Sequence, residues 1–171
     1  MLDRQIYLIG MPACGKSSLG SRAAQELGLP FTDLDHWIEE RAGKPIAEIF
    51  AQYGEAAFRK AETGALISLT WMQPGVIALG GGTAMTEVNR KIMRSWGSVI
   101  LLERPLDKIM ADIQRQERPL LLENTEEKLR ELFEVRMPVY RKLADAICRN
   151  DADYTQALAV LERILKERYH A

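Results

Sequence analysis

The chain has 171 residues, of which 47% are hydrophobic and 27% charged, proportions typical of one soluble globular domain with a substantial core. Its 23 basic and 24 acidic residues give a formal net charge of −1, which argues against nucleic acid or an anionic membrane as a partner. The chain has no apolar run of membrane-spanning length and no signal-peptide pattern. We therefore expect a cytoplasmic protein. The spacing of Cys14 and Cys148 fits no metal site, and we expect both to remain reduced thiols and not to form a disulfide.

Strand-like and helix-like segments alternate along the whole chain. Strands are predicted at about 5–9, 31–34, 76–79, 98–102 and 145–148. Helices are predicted at about 16–27, 46–53, 56–72, 87–95, 106–114, 126–141 and 154–168. This alternation predicts the α/β class, with a parallel sheet covered by helices on both faces. Because no linker or internal repeat interrupts it, residues 1–171 are expected to form a single domain.

A phosphate-binding motif follows the first predicted strand. Gly10-Met-Pro-Ala-Cys-Gly15-Lys16-Ser17 matches G-x-x-x-x-G-K-[ST] and leads directly into a predicted helix. In that context the backbone N–H groups of the turn and the positive end of the helix hold a polyphosphate. Lys16 is expected to reach the outer phosphates and Ser17 to offer its hydroxyl to Mg²⁺. The motif predicts that the chain binds a nucleoside triphosphate.

Two carboxylates end the second predicted strand, in Phe31-Thr-Asp33-Leu-Asp35. Strand alternation is expected to place Asp33 and Asp35 on one face, at the sheet edge where ligands of such folds bind. One carboxylate is then expected to hold Mg²⁺ and the other to accept a proton from an attacking hydroxyl. The alternative is that one or both of them only cap the following helix.

Arginines and glycines farther along the chain have the chemistry to bind a substrate carboxylate. Arg59 lies one helical turn before Glu62, which either orients its guanidinium for a carboxylate or forms an ordinary surface salt bridge with it. Gly80–Gly82 follows the third predicted strand, where a ligand can contact main chain directly; the alternative is a flexible turn. Arg136, in a helix whose end we expect to be broken by Pro138, can converge from another direction.

A segment with paired arginines, about residues 114–124, contains Arg115 and Arg118 before a Pro-Leu run. As a lid it would bring a cation over the triphosphate and stabilise charge on the transferring phosphoryl group. The alternative is a solvated charged loop.

Taken in order, these motifs resemble the shikimate kinase family. The resemblance runs from about residue 5 to 141, and its most specific part is Phe50-x-x-Tyr53-Gly54-Glu55-x-x-Phe58-Arg59-x-x-Glu62 joined to the Asp-x-Asp pair. It implies the nucleoside-monophosphate-kinase-like P-loop fold, with five parallel strands in the order 2-3-1-4-5. It also implies transfer of the γ-phosphoryl group of ATP to the 3-hydroxyl of shikimate, with Mg²⁺, in the route to chorismate.

The resemblance further implies a role for individual residues. The catalytic residues are Lys16, Asp35 and Arg118. The nucleotide is bound by Gly10, Cys14, Gly15, Lys16, Ser17, Ser18 and Arg118, and Mg²⁺ by Ser17 and Asp33. Shikimate is bound by Asp35, Arg59, Gly81, Gly82 and Arg136. A substrate-binding helical region at about 34–62 and the lid at about 114–124 complete the expected domain, which we expect to be a monomer.

Other functions on the same fold make different demands on the sequence. A kinase for another polyol, such as gluconate, shares the phosphate loop, and a substrate panel separates it from a shikimate kinase. A nucleoside monophosphate kinase needs residues that recognise a base, and no dedicated set is evident. A signalling GTPase needs N-K-x-D, and the nearest match, Asn124-Thr-Glu-Glu, lacks the lysine. In the phosphate loop itself, Pro12, Ala13 and Cys14 stand where the family usually has further glycines.

Overall fold

Five parallel strands form the centre of the fold in a computed structural model, which describes residues 4–115, 125–151 and 153–169. The strands are β1 Gln5–Ile9, β2 Phe31–Asp33, β3 Val76–Ala78, β4 Gly97–Glu103 and β5 Ala146–Arg149. They pair in the order β2-β3-β1-β4-β5, which confirms the predicted parallel sheet and its strand order.

The helices alternate with these strands as the sequence predicts. They are α1 Lys16–Glu26, α2 Leu34–Ala42, α3 Ile46–Thr70, α4 Glu87–Trp96, α5 Leu106–Arg115, α6 Thr125–Leu143 and α7 Tyr154–Tyr169, with a 3₁₀ turn at Thr83–Met85. The two helices predicted at 46–53 and 56–72 are the two halves of α3, which is kinked at Gly54, where φ is 78° and ψ is 172°.

The core lies around the central strand β1. All five of its residues are buried, including Tyr7 and Leu8, which are fully excluded from solvent. Because successive side chains of a strand point to opposite faces, this burial shows that helices cover both faces of the sheet. Cys14 and Cys148 are both free thiols buried in the structure, as expected. In the described part of the chain, no helix has the length and apolar character needed to cross a membrane.

The predicted break at Pro138 is wrong, because α6 continues through it to Leu143. A proline inside a helix removes the bond to the carbonyl four residues earlier, here that of Glu134. Glu134 is exposed, so water can satisfy that carbonyl. Burial of Met137 and Tyr140 on the other side of the helix offsets the remaining cost.

Parallel strands place all their carboxyl ends at one edge of the sheet. The segments that leave β1, β2 and β3 there are the phosphate loop, the start of α2 and the triple glycine. The fold therefore brings three of the segments singled out in the sequence to one place.

Candidate active site

The phosphate loop connects β1 to α1 through backbone conformations that side chains rarely adopt. Gly10 and Gly15 have φ values of 153° and 99°. A Cβ at Gly10 would lie 2.5 Å from the carbonyl oxygen of Leu102, so only glycine fits there. Ala13 has a φ of 60°, a left-handed conformation that strains a residue with a Cβ. This strain follows from an alanine at a position whose backbone conformation favours glycine.

Lys16 begins α1 and its side chain turns back onto the loop. Its ammonium donates to the carbonyls of Gly10, at 2.9 Å, and Met11, at 2.8 Å. Lys16 is buried, so its charge is held at the loop and away from bulk water. The ammonium of Lys16 would therefore lie next to the oxygens of a phosphate bound in the loop.

The loop is braced by residues that follow β5. The Asn150 side chain donates to the carbonyl of Cys14 at 3.0 Å. The Tyr154 hydroxyl donates to the carbonyl of Ser18 at 3.3 Å. These bonds fix the start of α1, whose free N–H groups are the anion-binding end of a helix.

Asp33 ends β2 and caps α2 at the same time. One of its oxygens accepts from the backbone N–H groups of Asp35, at 3.0 Å, and His36, at 3.3 Å. Its other oxygen accepts a hydrogen bond from the Ser17 hydroxyl. Because α2 begins at Leu34, the expectation that strand alternation aligns both aspartates is wrong. Asp35 lies in the first turn of α2 instead, and both carboxylates still face the cleft.

Asp35 has a buried carboxylate oxygen, Oδ1, that no group in the described ranges hydrogen-bonds. A Cβ on Gly80 would lie 2.7 Å from this oxygen, so only a glycine leaves room beside it. Burial above all, together with the neighbouring carboxylates of Asp33 and Glu62, raises the pKa of Asp35 from 3.8 to about 6, and the charge of Lys16 opposes this rise. A buried acceptor without a partner, at the edge of the cleft, is suited to receive a hydroxyl proton.

Arg59 is held in one orientation by carboxylates on its own helix. Its NH1 contacts Glu62 at 2.7 Å and its NH2 contacts Glu55 at 3.1 Å. Glu62 is 1% exposed, and its second oxygen accepts from the Thr83 hydroxyl at 2.6 Å. A carboxylate this buried does not form a surface salt bridge, so the alternative of an ordinary exposed pair is wrong.

The glycines after β3 lie between two guanidinium groups. A Cβ on Gly82 would be 2.5 Å from NH1 of Arg59, and a Cβ on Gly81 would be 3.0 Å from NH1 of Arg136. Any larger residue would push these cations away. The arrangement therefore places two positive charges beside glycine backbone that is partly exposed at Gly81 and buried at Gly82, which suits a bound carboxylate.

The phosphate loop, the end of β2, the start of α2 and the first glycines after β3 border one cleft of about 670 Å³. Its walls include the phosphate loop from Pro12 to Ser18, both aspartates and the first two glycines of the triple. Arg104 and Asp112, paired at 2.6 Å, lie at the side of the cleft near Asn150 and Tyr154. The volume suits a small molecule bound beside a polyphosphate.

Comparison with known proteins decides the family. The family model described as shikimate kinase matches residues 12–167. Shikimate kinase of Clostridium botulinum (strain Alaska E43 / Type E3) is 37% identical over 164 residues, which are 96% of this chain and 98% of the relative. The chain belongs to the shikimate kinase family. This membership confirms the resemblance seen in the sequence.

Other members of the shikimate kinase family agree in sequence and in structure. The enzyme of Actinobacillus pleuropneumoniae serotype 5b (strain L20) is 42% identical over 158 residues, 91% of each chain. The solved structure of shikimate kinase from Acinetobacter baumannii in complex with shikimate has a TM-score of 0.86 and 36% identity, covering 96% of this chain and 94% of that one. The P-loop kinase fold and the kinase class of this enzyme are thereby confirmed.

The structure brings together most of the residues that the sequence proposed for a shikimate kinase site. They are Gly10, Cys14, Gly15, Lys16, Ser17, Ser18, Asp33, Asp35, Arg59, Gly81, Gly82 and Arg136. Arg118 and almost all of the predicted lid lie outside the described residues, so both stay predictions.

Several residues around this shikimate kinase site escaped sequence reasoning. Thr83 and Asn89 are fully buried, and the Asn89 side chain donates to the Thr83 carbonyl at 2.9 Å and accepts from the Thr63 hydroxyl at 2.8 Å. Tyr140 donates from its hydroxyl to the Gly81 carbonyl. The only sequence signal for Thr83 was its position beside the triple glycine, and for Tyr140 its spacing of four residues from Arg136.

Proposed function

We propose that this member of the shikimate kinase family transfers the γ-phosphoryl group of ATP to the 3-hydroxyl of shikimate. The observation that carries the proposal is that the cleft is lined by the phosphate loop and by Gly80 and Gly81, while the guanidinium groups of Arg59 and Arg136 lie beside the same run of glycines. A ring acid with hydroxyls needs both a cationic site for its carboxylate and an acceptor for its reacting hydroxyl. Arg59 and Arg136 supply the first, and Asp35 supplies the second.

The acceptor hydroxyl is proposed to lie at Oδ1 of Asp35, the buried oxygen with no hydrogen-bond partner in residues 4–115, 125–151 and 153–169. With a pKa of about 6, Asp35 is mostly ionised at neutral pH, yet it is a stronger base than an exposed aspartate. It can orient the hydroxyl and take its proton as the bond to phosphorus forms. Phosphoryl transfer depends mainly on positioning and on charge stabilisation, so orientation by Asp35 is at least as important as its basicity.

The oxygen donors at the start of α1 and the end of β2 fit Mg²⁺. The hydroxyl of Ser17 and the carboxylate of Asp33 are hard ligands in direct contact with each other. No cluster of three or more acidic, histidine or cysteine ligands is found in the ranges the structure describes, and Mg²⁺ needs none because it takes its other ligands from water and nucleotide phosphates. When bound, the ion supplies charge neutralisation on the phosphates. Ser17 and Asp33 would hold it, and Lys16 would contact the neighbouring oxygens.

The substrate-binding helical region, about residues 34–62, is proposed to include α2 and the first two-thirds of α3. Gly54 kinks α3 within this region, so the half that carries Arg59 takes a direction of its own. Phe50 and Phe58 pack across the kink with ring centroids 4.5 Å apart. This contact fixes the angle between the halves and thereby the position of Arg59.

ADP release in a coupled assay tests the proposed function. Shikimate is compared with gluconate and with nucleoside monophosphates, each with ATP in the presence and absence of Mg²⁺. Of these acceptors, we expect only shikimate to give Mg²⁺-dependent ADP release. We expect that release to be lost when Asp35 is replaced by asparagine. Equal or faster turnover of gluconate or a nucleotide, with shikimate inert, would refute the proposal.

A further inference from the structure

The three glycine carbonyls after β3 are each held by a different group. The carbonyl of Gly80 accepts from the backbone N–H of Thr83 at 3.1 Å, and that of Gly82 accepts from the N–H of Met85 at 3.0 Å. These two bonds are local and form with the 3₁₀ turn itself. The carbonyl of Gly81 instead accepts from a side chain 59 residues away, the hydroxyl of Tyr140.

Tyr140 is built to act as a permanent donor to this carbonyl. Its ring is 1% exposed, in α6, one turn after Arg136 on the same helix face. Burial raises the pKa of Tyr140 to about 12, with nearby Arg136 opposing the rise. The phenol therefore keeps its proton throughout the pH range in which an enzyme works.

The bond from Tyr140 sets the direction of the next N–H group. In a trans peptide the C=O and N–H point to opposite sides, so holding the Gly81 carbonyl toward α6 turns the N–H of Gly82 away from it. No acceptor for this N–H is found in the described ranges. A peptide between two glycines rotates more freely than any other, and the tyrosine removes that freedom.

We propose that Tyr140 is a positioning residue that orients the Gly81–Gly82 peptide, so that the N–H of Gly82 donates to the substrate carboxylate between Arg59 and Arg136. This inference rests on the proposed function and deepens it. It assigns α6 two tasks at the carboxylate, a direct cation from Arg136 and an indirect orientation of main chain from Tyr140.

Replacing Tyr140 with phenylalanine isolates the hydroxyl, because the buried ring is retained. Loss of one neutral hydrogen bond is worth about a 2- to 12-fold change in an equilibrium constant. We therefore expect the KM for shikimate to rise by roughly 3- to 12-fold, while the KM for ATP stays within about twofold. A change of packing alone would alter both constants, or the melting temperature without either of them.

Tyr7→Phe is the matched control. Tyr7 is also a fully buried tyrosine, but its hydroxyl has no hydrogen-bond partner in the described part of the chain. Removing that hydroxyl should leave both KM values unchanged. The same assay on the wild type tests the proposed function separately. If the proposed function is wrong, the wild type does not turn over shikimate; if only the role of Tyr140 is wrong, it does.

An analogue and a spectrum distinguish orientation from packing. With a shikimate analogue that carries a hydroxymethyl group in place of the carboxylate, the wild type and Tyr140→Phe should bind equally well, because the anion that the N–H serves is gone. In wild-type protein labelled with ¹⁵N-glycine, shikimate should shift the Gly82 amide resonance strongly downfield, a measurement that does not depend on the variant folding. Three outcomes would each overturn the inference. They are an unchanged shikimate KM in a folded Tyr140→Phe protein, an equal loss of affinity for shikimate and for the analogue in that variant, and a Gly82 resonance that shikimate does not shift.

Discussion

Replacing Asp35 with asparagine is expected to stabilise the free protein while it removes activity. Oδ1 of Asp35 is buried without a hydrogen-bond partner among the described residues, and the pKa of Asp35 is raised to about 6, mainly by burial and then by Asp33 and Glu62. Asparagine has nearly the same shape and no charge to desolvate. The side chain of Asp35 accepts no hydrogen bond from the described residues, so the substitution breaks none.

The magnitude follows from the rise of the pKa above its ordinary value of 3.8. A native-state pKa of about 6 means that folding costs about 3 kcal/mol once the group is ionised in both states. The substitution also removes the attraction between this first-turn carboxylate and the N-terminus of α2, which reduces the gain in stability by about 0.3–1 kcal/mol. Since Asp35 is also partly exposed, the expected net gain for Asp35→Asn is about 1–2.5 kcal/mol. Each kcal/mol corresponds to about 2–4 °C in Tm for a chain of this size.

The sign of the pH dependence is fixed by the direction of the shift. Between about pH 4 and pH 6 the native state binds the Asp35 proton more tightly than the unfolded state does, so this group's cost grows as pH rises and is complete above the native pKa. The free-energy difference between Asp35→Asn and wild type should therefore be largest at about pH 8 and smaller at about pH 4.5.

Urea unfolding of the two ligand-free proteins at both pH values measures this difference, with kcat for shikimate measured on the same samples. Glu167→Gln, an exposed change of the same charge on α7, controls for net charge. We expect kcat to fall by about 10²-fold or more. A variant that is no more stable than wild type at the higher pH, or whose advantage does not shrink on acidification, would falsify the account of Asp35 as a desolvated base.

The remaining predictions concern Arg59, Gly82 and the buried Glu62 that holds Arg59, which belong to the proposed site for the substrate carboxylate. Arg59→Lys should raise the KM for shikimate about 10- to 150-fold with little change for ATP, because an ammonium lacks the planar fork; an unaltered KM contradicts this. Thr83→Val should destabilise the protein by about 1–3 kcal/mol in urea unfolding, because it leaves one oxygen of the buried Glu62 without a donor. Gly82→Ala should raise the KM for shikimate about tenfold or more by displacing the guanidinium that would lie 2.5 Å from its Cβ, whereas Gly64→Ala, with no atom within 4 Å, should not.

Features set by local chemistry could be predicted from the sequence. The phosphate loop is fixed by residues that are adjacent in the chain, and the β1 sequence is a continuous apolar run because both of its faces are covered. The strand order came from the family resemblance, since nothing in the spacing of the strands specifies which of them pair. The described structure agrees with it throughout.

The placement of Asp35 was wrong for a reason that is also local. Alternation assumed that β2 continues through residue 35, but Asp33 is a strong helix cap and α2 begins immediately after it. Two rules competed over three residues, and the cap prevailed because it satisfies two backbone N–H groups. Because Asp33 ends the strand and caps the helix, one of its oxygens binds the N–H groups of α2 and the other accepts from Ser17.

Residues that act across long sequence distances could not be predicted in this way. Glu62 is recognisable as the partner of Arg59 because they lie one turn apart, but its second donor, Thr83, is 21 residues away, and Asn89 reaches Thr63 over 26. The resulting chain of bonds links α3, the 3₁₀ turn and α4 behind the guanidinium. Such a chain costs stability unless every member is satisfied, and here it runs from Asn89 through Thr83 and Glu62 to the guanidinium of Arg59. If Arg59 binds the substrate carboxylate as proposed, loss of a buried polar group in this chain should therefore raise the KM for shikimate as well as lower stability.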